Sequence, residues 1–168
     1  DKEMKKIEKL FADFAKKYAD KKFVNNAKLL RRALDDRNTL EREVSPLCGW
    51  YVHLEKSLNT TDTEIEVVDR KINDRYTAAA KKVIFFNIAI AKIPEAKQKV
   101  YLKEKILSPY KYYLQLMFDE GKYMLSESEE KILADKHSVA HTAWESMQSS
   151  YKNSQKVKFG KELISIGK

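Results

Sequence analysis

The sequence predicts an all-α fold: an antiparallel bundle of helical hairpins with a long central helix and a short C-terminal β-hairpin tail. Three observations carry this. Apolar residues recur at three- and four-residue steps through most of the 168 positions, the signature of amphipathic helices. Helix breakers are scarce, with four Gly and three Pro in the whole chain. Charged residues make up 35% and hydrophobic ones 43%, a balance that suits helices with one buried face and one solvated with Lys and Glu.

The first helix follows from Met4, Ile7, Phe11, Phe14 and Tyr18, with lysines on the opposite side. It ends near Phe23-Val24-Asn25-Asn26, where either Asn can stop one helix and cap the next. Helical periodicity then continues to about Leu58 through Leu30, Leu34, Leu40, Leu47, Tyr51 and Leu54. Pro46 predicts a kink or break, because proline removes a hydrogen bond and crowds the preceding turn. A second break is expected between Asp35 and Asn38. Thr61 or Asp62 should cap the next helix, the longest in the chain. Its stripe of Ile65, Val68, Ile72, Tyr76, Ala79, Val83, Phe86 and Ile90 spans roughly 40 Å at about 1.5 Å per residue. The second half is apolar nearly all round, which places it at the centre of the bundle.

Ile93-Pro94 ends that helix and opens one running to about Leu107. Ser108-Pro109 repeats the signature for a helix carrying Tyr110, Tyr113, Leu114 and Met117, closed by Gly121. Ser126 to Glu129 form a capping box: the serine oxygen accepts from the Glu129 backbone, and that carboxylate reaches back. The helix it opens bears Ile132, Leu133, Val139, Ala140, Ala143, Trp144, Met147 and Tyr151. From Val157 the pattern changes to a hairpin-like VKFGKELISI. An isolated two-stranded hairpin is marginal in water, so residues 153–168 are expected to begin a small neighbouring domain, with residues 1–152 as the helical lobe.

Composition excludes several classes. The single Cys48 cannot form an internal disulfide; it agrees with a reducing compartment and reads as a packing residue. No apolar run approaches the roughly 18–20 residues of a membrane span, and the charged opening from Asp1 to Lys9 is not a secretory signal. The net charge of +8 could favour acidic partners, yet the basic residues are scattered among acids and accompany no nucleic-acid-binding motif. They read as a solvated basic face. There is no Gly-rich phosphate loop.

One motif invites a catalytic reading. His137-Ser138-Val139-Ala140-His141 has the i, i+4 imidazole spacing of a zinc helix, but Ser138 stands where the general-base Glu belongs. At about 100° per residue, His137 flanks the apolar stripe and His141 faces water. Beyond an outward-pointing Glu145 no third ligand is evident, so no metal ligand and no catalytic residue is assigned here. His53 reads as a lone packed or solvent-facing residue, and it does not form a nucleophile pair with Cys48. Nine Tyr and seven Phe fall mostly on stripe positions; the exposed members of Tyr110, Tyr112 and Tyr113 are candidates for contacts in a peptide channel.

Several segments together resemble the oligoendopeptidase F branch of the thimet-oligopeptidase-like zinc peptidases. They are Leu54 to Thr63 (LEKSLNTTDT), the helix end FFNIAIAKIP, Leu107 to Leu116 (LSPYKYYLQL), Tyr123 to Ala134 (YMLSESEEKILA), Trp144 and the tail VKFGKELISI. The resemblance covers about residues 25–168. It implies a cytoplasmic, largely helical enzyme of two lobes around a channel, which cuts short peptides with one zinc ion held by an HExxH helix and a downstream Glu in the C-terminal half. This chain contains no HExxH, so no catalytic or metal-binding residue carries over. The resemblance therefore implies a non-catalytic N-terminal lobe, inactive alone, whose partners are oligopeptide substrates and the C-terminal catalytic lobe. No nucleic-acid or membrane partner is expected. The alternative reading is a free-standing helical module that binds an acidic partner.

Overall fold

The computed structural model describes residues 1–45, 47–58, 62–160 and 162–165. It is all-α, with nine α-helices and one antiparallel β-hairpin among the described residues. The helices are α1 (Lys2–Tyr18), α2 (Ala27–Glu43), α3 (Leu47–Leu58), α4 (Thr63–Ala80), α5 (Ile84–Ala91), α6 (Glu95–Tyr101), α7 (Lys111–Glu120), α8 (Glu127–His137) and α9 (Ala143–Ser154). The hairpin pairs β1 (Lys156–Phe159) with β2 (Glu162–Ser165). The chain divides into two compact units, Asp1–Pro46 with Arg75–Lys131, and Leu47–Asp74 with Ile132–Lys168.

The first unit holds a dense core. The α1 stripe of Met4, Ile7, Phe11, Phe14 and Tyr18 is buried in full, as are Leu30, Ala33, Leu34 and Leu40 of α2. At the centre lies Phe86 of α5, fully buried, its ring stacked on Phe23 at 4.6 Å and edge-on to Phe14 at 5.2 Å. Burying such a side chain contributes about 1.5–3 kcal/mol. Phe85, Ile88, Ile90 and Ala91 are buried with it, so the apolar end of the long stripe sits in the core as its composition predicts. Leu107, Leu114, Met117 and Phe118 complete the unit.

Local signals set most helix ends. Asn26 adopts extended backbone and its side chain accepts from the Leu29 amide at 2.9 Å. Asp62 accepts from the amides of Glu64 and Ile65 at 3.0 and 3.1 Å; the other cap candidate, Thr61, lies outside the described residues. The capping box forms as expected: the Ser126 amide donates to Glu129 Oε2 at 2.9 Å and the Glu129 amide to Ser126 Oγ at 3.4 Å. Gly121 follows α7, and its amide donates to the Met117 carbonyl at 3.0 Å. The chain breaks between Glu43 and Leu47; Pro46 itself lies outside the described residues.

Four expectations are corrected. No break occurs between Asp35 and Asn38, because side chains there brace α2: Arg31 Nε donates to Asp35 at 2.9 Å and Arg37 Nε to Glu41 at 2.8 Å, one helical turn apart in each case. The long helix is interrupted at Lys81–Val83 by a 3-10 turn, where Val83 (φ −111°, ψ 4°) leaves the helical region. The helix after Pro94 stops at Tyr101, whose buried ring is anchored when its hydroxyl donates to the Val24 carbonyl at 2.9 Å. Tyr110 ends another 3-10 segment, Lys105–Tyr110, that contains Pro109, so α7 starts later than Ser108-Pro109 suggests.

The second unit is built differently. Val52 is the buried large apolar residue of α3, and α8 and α9 have none. A π-helical turn, Ser138–Thr142, joins α8 to α9. The stripe expected to face a core here is instead exposed at Ile132, Leu133, Val139, Trp144, Met147 and Tyr151. Amphipathic spacing demands a cover for one face but does not say that the same unit provides it. The hairpin sets Val157 opposite Ile164 and Phe159 opposite Glu162. Gly160 turns it with φ of +63°, a conformation that costs glycine nothing. Lys161 and residues 166–168 of the tail lie outside the described residues.

Candidate functional site

The three tyrosines singled out in the sequence do not share one environment. Tyr110 closes the 3-10 segment before α7, and its hydroxyl donates to Asp35 Oδ1 at 2.8 Å. The Arg31 guanidinium sits over its ring, 5.3 Å from the centroid, and donates onward to the Ile106 carbonyl at 2.9 Å. Burial is the largest influence on Asp35 and pushes its pKa up, but the bonds from Arg31 and Tyr110 outweigh it and hold the carboxyl below its usual range. Burial, then the Asp35 contact, raises Tyr110. Tyr113 is half-buried, raised chiefly by burial, and donates to Asn87 Oδ1 at 3.3 Å. Both side chains are committed inward. Tyr112 differs, with 83% of its surface exposed, so it alone of the three turns its ring to the surface.

Sequence reasoning missed a groove within the second unit. It has a volume of about 460 Å³ at its larger end and is lined by Lys56, Asp69, Asn73, Thr142, Ser146 and Ser150. Lys56 Nζ lies 3.1 Å from Asp69 Oδ2, and Asn73 Nδ2 donates to Asp69 Oδ1 at 3.1 Å. A further recess continues past His53, Ser57 and Asn153. The signal was present: Thr142, Ser146, Ser149, Ser150 and Asn153 recur at helical spacing, a polar row easily read as a solvated face. Hydroxyls, an amide and an ion pair can hydrogen-bond a peptide backbone, and they offer orientation rather than bond cleavage.

The histidine pair lies outside that groove's larger end. The His137 and His141 rings are parallel, 5.1 Å between centroids and 11° apart. His141 Nδ1 is 3.5 Å from Glu145 Oε2. Both imidazoles are exposed, which corrects the placing of His137 beside a core. Zinc sites need three or four ligands converging on one point. Among the described residues no group of three His, Cys, Asp or Glu side chains is placed to hold a metal ion, so these residues do not fit a zinc centre. His53 stands edge-on to Trp50 at 6.3 Å. Among the described residues no helix is long and apolar enough to cross a membrane.

Comparison with known proteins gives one match. Residues 90–153, from the end of α5 to the end of α9, match the family model described as oligopeptidase F. The resemblance drawn from the sequence is thereby borne out over that segment, which contains the LSPYKYYLQL and YMLSESEEKILA motifs and Trp144. No curated protein and no solved structure matches the chain.

Proposed function

We propose that this chain is the non-catalytic N-terminal lobe of a cytoplasmic, zinc-dependent oligoendopeptidase that hydrolyses short peptides, and that it forms a wall of the substrate channel. The observation that carries the reading is the oligopeptidase F match over residues 90–153 in a chain that has no HExxH. The zinc site, with its two His, Glu ligand and general base, would come from a C-terminal catalytic lobe.

Three features support a wall. Tyr112 offers an exposed ring beside the Tyr110 and Tyr113 anchors. The groove lined by Lys56, Asp69 and the α9 hydroxyls offers donors and acceptors for a peptide main chain. The exposed apolar row of Val139, Trp144, Met147 and Tyr151 suits contact with another protein surface. The second unit contains nine Lys and Arg against nine Asp and Glu, so the whole excess of +8 falls on the first unit, with 24 against 16. That field would draw in peptide carboxylates.

The same concentrated charge favours the second reading, a free-standing module for an acidic partner. Reading the coding sequence past residue 168 separates the two. The lobe reading expects an HExxH helix a few hundred residues downstream; a stop codon directly after Lys168 would favour the module.

A further inference from the structure

The second unit is turned inside out. On α3, Lys56 lines the polar groove and pairs with Asp69, and His53 lines its continuation. The opposite side carries Leu47, Tyr51, Leu54 and Leu58, which are 76%, 64%, 61% and 83% exposed, flanked by Trp50 at 60%. Their spacing is four, three, four, that of a coiled-coil seam with Leu47 and Leu54 at one core position and Tyr51 and Leu58 at the other. In the described structure this apolar seam is exposed along the length of the helix, and an exposed seam of this kind has the form of one half of an interface.

We propose that this seam pairs with the same seam of a second copy of the chain, the two α3 helices lying antiparallel about a two-fold axis. Three observations favour a second copy. The seam is self-complementary: reversing it sets Leu47 against Leu58 of the other copy and Tyr51 against Leu54, so each bulky ring meets an aliphatic side chain. An isologous contact requires this of a single patch. Charge does not oppose it, because the second unit is neutral, with nine Lys and Arg and nine Asp and Glu. Antiparallel pairing sets Glu55 near Cys48 and Trp50 near Ser57 at the flanks, so no two like charges meet. Area suffices as well: with large apolar side chains carrying on the order of 150–200 Å² each, the five present roughly 600 Å², close to the ~800 Å² per partner of a standard interface. The inference is independent of the peptidase reading.

The test is sedimentation equilibrium of the full 168-residue chain from about 1 to about 100 μM, a range that brackets a micromolar dissociation constant. The expected result is twice the 19.6 kDa chain mass at the upper end. Leu54→Glu should raise the dissociation constant at least about tenfold and leave the far-ultraviolet helical signal intact, since the residue is exposed. Tyr123→Glu, at an exposed site outside the seam, should leave association unchanged. Adding Tyr51→Lys to Leu54→Glu should restore the dimer, because antiparallel pairing sets the introduced ammonium of one copy against the introduced carboxylate of the other. A monomer throughout the range, as expected if another protein covers the seam, would overturn the proposal, as would a dimer indifferent to Leu54→Glu. Failure of the double variant to recover would reject the antiparallel register.

Discussion

A Cβ placed on Gly121 would lie 2.7 Å from the carbonyl oxygen of Ala91, so the end of α7 and the end of α5 meet backbone to backbone. The Gly121 backbone itself is ordinary right-handed helix (φ −54°, ψ −24°). Space rather than conformational freedom requires the glycine. Gly121→Ala must push the two helix ends apart, and overpacking of this kind costs about 1–3 kcal/mol. Thermal or denaturant unfolding should show that loss, with little change in helical content.

Phe86 should be the most sensitive core position. It is fully buried and meets the rings of Phe14, Tyr18 and Phe23. Phe86→Ala should cost about 3–5 kcal/mol, read as a fall in the denaturant midpoint. A loss under about 1 kcal/mol, well below the ordinary cost of a buried Phe, would mean the cluster collapses readily around the void.

Stability should fall at both ends of the pH scale. Burial pushes Asp36 up, but its bonds with Lys17 and Tyr18 prevail and its carboxyl lies below the usual value. A carboxyl depressed in the folded state contributes stability above its unfolded pKa, about 3.9, and loses it as pH falls further. Tyr18, Tyr101, Tyr110 and Tyr113 are raised, in each case first by burial. Their contribution is present below the unfolded value of about 10 and declines as pH rises through the folded values. Unfolding measured against pH should show both limbs, and Asp36→Asn should flatten the acid one.

The capping box should matter locally. Ser126→Ala leaves the Glu129 amide without its side-chain acceptor and should cost about 0.5–2 kcal/mol. In a double-mutant cycle with Glu129→Ala the two changes should be less than additive, because Ser126 and Glu129 bond each other.

These sites show what the sequence makes legible. Asn26, Asp62, Ser126 and Glu129 could be placed because a cap acts within three residues. Phe86 could be placed in the core because α5 is apolar nearly all round. The 3-10 turn at Lys81–Val83 and the early end of α6 were not legible, since they answer to distant contacts such as Tyr101 with Val24. Nor was the exposure of Leu54 or Trp144. Periodicity identifies a face that needs cover, and only the three-dimensional arrangement shows which faces the chain leaves bare. The groove residues Lys56 and Asp69 lie on separate helices, and nothing in their local sequence announces the pairing. HSVAH has the spacing of a ligand pair, but Ser138 in place of the general-base Glu set it aside from the sequence alone.

Hydrolysis of a quenched-fluorescence oligopeptide by the purified 168-residue chain with added zinc tests the central claim most directly. The account predicts no turnover above a buffer blank, because this sequence supplies no HExxH to bring ligands and a general base together. Cleavage that a chelator abolishes and that is lost in His137→Ala or His141→Ala would contradict it.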